Sequence, residues 1–303
     1  MKNFTSKIIC VAVLAAFVSG CGMKKLTTAT IGKIATDGTT VLESEQDLEI
    51  AKSSTPTLIL TLEVLAKGNP KDRRMLTLLA RSYGQYAFGF VEEDMLRYKG
   101  VDSAAYQKSL ERADLFYKRG KDYGLAALWS KDQQAKVLSL PQDQFEKELG
   151  KFGNGRVPSL FWAAFCWGNW INLHRDDPEA FIDVARVEAM IKRVLKLEPS
   201  YYYGSAHSFL GSIASSRPAM LGGNQALAQN EFQAALKASD KYLMTKVLYA
   251  QYYAVQFQDK ALFESLLNEV QNADAKSLPE QRLANELAKR RAQILLGAEK
   301  RYF

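Results

Sequence analysis

The residues that could do chemistry are few and scattered. His174 and His207 are the only histidines, and a metal centre normally needs three or four Cys, His or carboxylate ligands at defined spacing, which the sequence does not provide. His174 leads His174-Arg175-Asp176-Asp177 ahead of Pro178, the composition of a helix end. His207 follows Tyr201-Tyr202-Tyr203-Gly204, where it could donate to a ligand or simply pack. Glu92-Glu93-Asp94 could supply an acid and a base, but three successive helical positions point in different directions, and the run reads as surface charge. Gly222-Gly223-Asn224 lacks the Lys-Ser/Thr that follows the glycines of a phosphate loop and reads as a helix entry. Arg217 just before it could hold a carboxylate bidentately or cap carbonyls. Cys166 sits in an apolar run with no histidine nearby in sequence, where a thiol acts as a small hydrophobe with a raised pKa. The chain is therefore expected not to be an enzyme, and to carry no catalytic residue, metal or cofactor. A peptidoglycan-active enzyme would need a positioned carboxylate or histidine.

What the sequence concentrates instead is aromatic surface. Ser159 to Leu173 carries Trp162, Trp167 and Trp170 among apolar neighbours, and a helix apolar on every side must be buried. Its fifteen residues reach about 22 Å, short of the ~30 Å hydrocarbon core, and Asn169 and Asn172 would cross that core unpaired. The segment reads as a central buried helix. Tyr201 to Tyr203 and Tyr249, Tyr252 and Tyr253 add more aromatic surface than one core seam can hold. Apolar concave surface with few convergent polar groups suits a small-molecule pocket or a groove that accepts a helix, and core filling is the alternative. Trp162, Trp167, Trp170, Tyr202, Tyr203, His207, Arg217 and Asn224 are the candidate lining residues for a ligand or partner.

Positioning these residues falls to a helical chain with an export signal. Lys2 and Lys7 precede an uncharged run from Ile8 to Val18, the layout of a secretory signal peptide over residues 1–20. Its end, Val18-Ser19-Gly20-Cys21, resembles the lipobox of bacterial lipoproteins, which implies covalent lipid on Cys21. Gly22, in place of the aspartate that retains many such proteins at the inner membrane, favours the outer membrane. Cys10 then leaves with the signal, Cys21 carries lipid and Cys166 stands alone, so no disulfide forms. Residues 21–40 are rich in Thr, Gly and Lys and suit a tether. The net charge of +7 is spread along the chain, export argues against nucleic acid, and the cluster Lys289-Arg290-Arg291 reads as a solvated helix end.

Residues 41–303 read as one all-α domain. Helices are expected from Gln46–Ala66 through Ser159–Leu173 to Pro279–Leu296, separated by Pro, Gly and Asp, and strand signals are nearly absent. Small residues recur where two helices must approach closely: Ala80, Gly168, Gly211 and Ala250, answered by Ala113-Tyr117-Gly120 and Ala228-Phe232-Ala235. The pattern resembles tetratricopeptide repeats, and the fold expected is a degenerate tetratricopeptide-type helix-pair solenoid. Spacings wider than that repeat's roughly 34 residues imply insertions in every unit.

Four blocks then carry a more specific resemblance: YGQYAFGFVEED from Tyr83, FYKRGKDYGLAAL from Phe116, SLFWAAFCWGNWINLHRDDP from Ser159, and LEPSYYYGSAHSFLGSIASSRPAMLGGN from Leu197. In order and spacing they resemble the T component associated with tripartite ATP-independent periplasmic (TRAP) transporters, the TatT family. That resemblance implies a lipid-anchored, periplasm-facing helical protein. It would be partnered with the transporter's solute-binding P component, with hydrophobic or organic-acid small molecules as cargo and a homo-oligomer compatible with its role. The alternative is a tetratricopeptide-like envelope scaffold that binds protein partners in outer-membrane assembly.

Overall fold

Acidic and amide side chains start the helices. The carboxylates of Asp47, Asp72, Asp102 and Asp259 and the amide oxygen of Asn224 accept from first-turn backbone N–H groups, satisfying donors that have no partner within the helix. In this computed structural model the described residues are 38–175, 177–217 and 223–303, apart from the side chain of residue 181. The expected signal segment, Cys21 and the tether up to residue 37 lie outside them. Residues 38–40, assigned by sequence to the tether, are helical.

In chain order the helices are α1 (residues 38–43), α2 (Leu48–Gly68), α3 (Arg73–Tyr86), α4 (Glu92–Tyr98), α5 (Ser103–Leu128), α6 (Lys131–Leu138), α7 (Gln142–Gly150) and α8 (Val157–Leu173). They continue as α9 (Pro178–Ile182), α10 (Val184–Leu197), α11 (Tyr201–Ser216), α12 (Gln225–Ala238), α13 (Met244–Leu248), α14 (Lys260–Asn272) and α15 (Arg282–Gly297). Two π-helical segments interrupt the regular winding, Ala87–Val91 between α3 and α4, and Tyr249–Ala254 after α13. No strand occurs among the described residues. The protein is all-α, and its helices pack on sequence neighbours in solenoid-like order, α2 on α3, α3 on α5, α5 on α8, α8 on α10, α10 on α11 and α11 on α12.

Helix α8 is the centre that its composition requires. Val157, Leu160 to Ala164, Cys166 and Trp167 are buried on it, and it packs on α3, α5, α10 and α11. Close approach is possible because small residues face it. A Cβ on Gly120 would sit 2.6 Å from Cys166 Sγ, one on Gly124 2.6 Å from Ala163 Cα, and one on α8's own Gly168 2.5 Å from Phe209. Ala80, Ala113, Ala228, Ala235 and Ala250 are fully buried, as the recurring small-residue pattern demands.

The solenoid order does not leave its ends apart. Helix α15 returns to pack on α2 and α4, and ion pairs fix it there: Arg291 to Glu92 at 3.1 Å, and Arg290 to Glu93 at 2.6 Å and to Glu49 at 3.5 Å. Tyr117 donates to the other oxygen of Glu92 at 2.6 Å. The two charged runs that read as solvated surface are thus partners, with Glu92, Glu93 and Arg291 each less than a tenth exposed. Sequence patterns within one helix cannot reveal a pairing between positions 199 apart.

Candidate functional site

The ring of helices surrounds a cavity of about 380 Å³. Its direction follows from α8 and α11, which run side by side in the same sense. Trp162 meets Tyr202 at 5.1 Å between ring centroids and Phe165 meets Phe209 at 6.0 Å, while Arg175 and Arg217 lie just past the two C-termini and also line the cavity. From Tyr202 to Ser216 is about 20 Å at 1.5 Å per residue. The wall between is aromatic and aliphatic: Phe88 and Phe90 from the first π-helical segment, Phe165, Phe209, Leu287 and Tyr252 from the second. Both π-helical segments thus face the cavity, a placement common for such irregularities.

Charged groups gather at the two ends, while Asn169, Ser208 and Ser212 add neutral polar atoms between them. At the first, Glu43 of α1 accepts from Arg81, from Gln85 Nε2 at 2.9 Å and from the Tyr202 hydroxyl at 3.3 Å, and Gln281 Oε1 lies 3.0 Å from the same hydroxyl. The Arg81 guanidinium lies 5.6 Å from the Trp162 ring centroid and 5.2 Å from that of Tyr202. Burial opposes its charge, but Tyr202 and Glu43 beside it raise its pKa on balance. Its Nε is buried without a hydrogen-bond partner among the described residues. Burial also drives the neighbouring phenols upward, Tyr201 to about 12 and Tyr202 well above its ordinary range, so they remain neutral donors.

Backbone strain aims this end. Tyr202, Tyr203 and Gly204 are successively left-handed, at φ 47°, 60° and 75°, a conformation costing a non-glycine residue roughly 1–2 kcal/mol. Gly204 is needed twice, for its φ and because a Cβ there would meet Ala238 at 2.8 Å.

At the second end Arg217 pairs with Glu188 at 3.2 Å, so a carboxylate of the chain itself already takes its charge. Burial pushes Glu188 up, but Lys192 and Arg217 pull it further down, below its ordinary pKa. Arg175 donates to Asn172 Oδ1 at 2.7 Å through Nε and has no carboxylate partner among the described residues.

The candidate residues divide accordingly. Trp162, Tyr202 and Arg217 line the cavity. Trp167 is 2% exposed and packs in the core around α8. Trp170 turns to α5, donating to Asp114 at 2.8 Å, with Lys121 4.5 Å from its ring and the His174 ring tilted against it at 4.4 Å. Tyr203 stacks on Tyr242 at 5.3 Å. His207 pairs with Glu231 at 2.6 Å, and Asn224 caps α12. None of these last five is in the cavity wall. Tyr249 and Tyr253 belong to the core with Phe232, whereas Tyr252 lines the cavity. Cys166 is fully buried, its Sγ donates to the Ala80 carbonyl at 3.3 Å, and burial pushes its pKa well up. Among the described residues no cluster of His, Cys, Asp or Glu could hold a metal ion.

Sequence reasoning missed Arg81, Gln85, Glu43 and Arg175. Arg81 and Gln85 stand one turn apart on α3 but meet Glu43 and Tyr202 from distant segments, and only Arg175, beside His174 at a helix end, carried a local signal.

No helix among the described residues is long and apolar enough to cross a membrane. An uncharacterized protein of Treponema pallidum (strain Nichols) is 23% identical over 327 aligned positions, spanning 100% of this chain and 99% of the relative. The description "TRAP transporter T-component" matches residues 44–303. That stretch holds the helical ring from α2 to α15 and nearly all of the cavity wall, and on it the chain belongs to the TRAP transporter T-component family.

Proposed function

We propose that the protein is a non-catalytic, periplasm-facing accessory of a TRAP-type uptake system that binds hydrophobic or organic-acid ligands in its central cavity and docks the solute-binding P component. Lipid on Cys21 anchors it, to the outer membrane where the cell has one. The cavity carries this reading: about 380 Å³ of space walled largely by aromatic and aliphatic side chains, with its charged groups at the ends, is the composition of a small-molecule site. Family membership supports a place in a TRAP system within the cell envelope. An envelope scaffold would need its aromatics on an open groove, whereas closure by α15 turns them inward.

Two measurements test the reading. The fluorescent apolar probe N-phenyl-1-naphthylamine should bind saturably and be displaced by long-chain organic acids. The protein should also co-purify with a solute-binding protein encoded beside a TRAP permease. Recovery of unrelated outer-membrane assembly proteins, with no saturable probe binding, would favour the scaffold instead.

A further inference from the structure

Glu43 is an unusual wall residue. It lies on helix α1, whose Thr39 and Leu42 also face the cavity, and Glu43 as a residue is 9% exposed. Its donors, Arg81, Gln85 and Tyr202, stand on α3 and α11, helices of the ring. Together they form a complete carboxylate receptor: one guanidinium, one amide and one phenol converge on one anion beside an apolar channel.

Three features show that the receptor is built on the ring, independently of α1. The Arg81 guanidinium sits against both the Trp162 and Tyr202 rings, 5.6 and 5.2 Å from their centroids, cation–π contacts that hold it in this corner from the ring side. Its Nε remains buried and unpartnered, so the site has a donor that Glu43 does not use. The strained left-handed pair Tyr202 and Tyr203 holds a hydroxyl into this corner, and strain of that kind persists where the surroundings fix a functional geometry.

Resting on the reading of the cavity as a ligand site, we propose that Arg81, Gln85 and Tyr202 receive the carboxylate of an amphipathic acid, and that Glu43 occupies this receptor as an intramolecular stand-in until such an acid displaces it. The ligand's apolar chain then runs along α8 and α11 towards Phe209. Exchange of one carboxylate for another keeps the Arg81 charge compensated throughout, which avoids the cost of a buried unpaired guanidinium. It also makes the ligand compete with a tethered anion at high effective concentration, so apparent affinity for acids is set by how often Glu43 is displaced.

The test compares dodecanoate with dodecanol, binding to the whole chain by calorimetry. Glu43→Ala should raise dodecanoate affinity about tenfold or more, since the receptor is then always vacant, and leave dodecanol within about twofold. This gain cannot arise from misfolding. Arg81→Gln should remove the preference for dodecanoate while dodecanol still binds. If both ligands bind but Glu43→Ala leaves dodecanoate unchanged, or if Arg81→Gln keeps the preference, the stand-in is overturned while the cavity reading survives. If dodecanol and dodecanoate both fail to bind any form, the cavity reading falls, and this inference falls with it.

Discussion

Arg291 and Glu92, 199 positions apart in sequence, meet in a buried ion pair at 3.1 Å. Through it α15 closes on α4, and a row of helices that would otherwise present a groove surrounds a cavity. Removing one partner leaves the other charge buried. Arg291→Ala is expected to cost about 3–5 kcal/mol, read as a lower urea midpoint at unchanged slope. Replacing both residues by Met should recover part of that loss.

Packing around α8 gives a second prediction. Gly120→Ala gains about 1 kcal/mol of helix propensity, but its Cβ would lie 2.6 Å from Cys166 Sγ, and overpacking costs about 1–3 kcal/mol. The clash should win. Cys166→Ala should be worth more in the Gly120→Ala background than in the native one, so the cycle should be non-additive. Slow alkylation of Cys166 until the protein is unfolded would agree with its burial.

The tryptophans should separate by position. Trp167 fills the core, so Trp167→Ala should cost about 3–5 kcal/mol, seen as a large fall in melting temperature. Trp170→Phe loses one partly exposed hydrogen bond to Asp114, about 1 kcal/mol, and should bind N-phenyl-1-naphthylamine as the native chain does.

Much of this was legible in the sequence. The run from Ser159 to Leu173 could only be a buried helix, and Gly168, Gly211 and Ala80 marked close helix contacts because small residues have few other uses there. Local composition could not divide the three tryptophans among cavity, core and surface, since adjacent helical turns face different neighbours. Nor could it pair Glu92 with Arg291 or Glu43 with Arg81, whose partners lie in distant segments. The π-helical segments at Ala87–Val91 and Tyr249–Ala254 also escaped, because their residues follow ordinary helical propensity.

Alkali should find the tyrosines resistant. Burial, reinforced by hydrogen bonds to Glu63, raises Tyr83 and Tyr123 to about 12 from 10.0, and burial raises Tyr201 equally far. These folded pKa values lie above the unfolded ones. The stability they contribute is therefore complete below pH 10 and is lost as pH rises towards 12, because the unfolded chain releases those protons first. Melting temperature should fall across that interval, with delayed phenolate absorbance in the folded protein.

Filling the cavity tests the central claim most directly. Ser212 lines its wall on α11, and Ser212→Trp would place an indole in the space reserved for ligand. Titration with N-phenyl-1-naphthylamine should show saturable binding to the native chain and its loss in Ser212→Trp, with no lower melting temperature. Saturable binding that persists undiminished in a folded Ser212→Trp protein, or its absence from the native chain, would contradict the account.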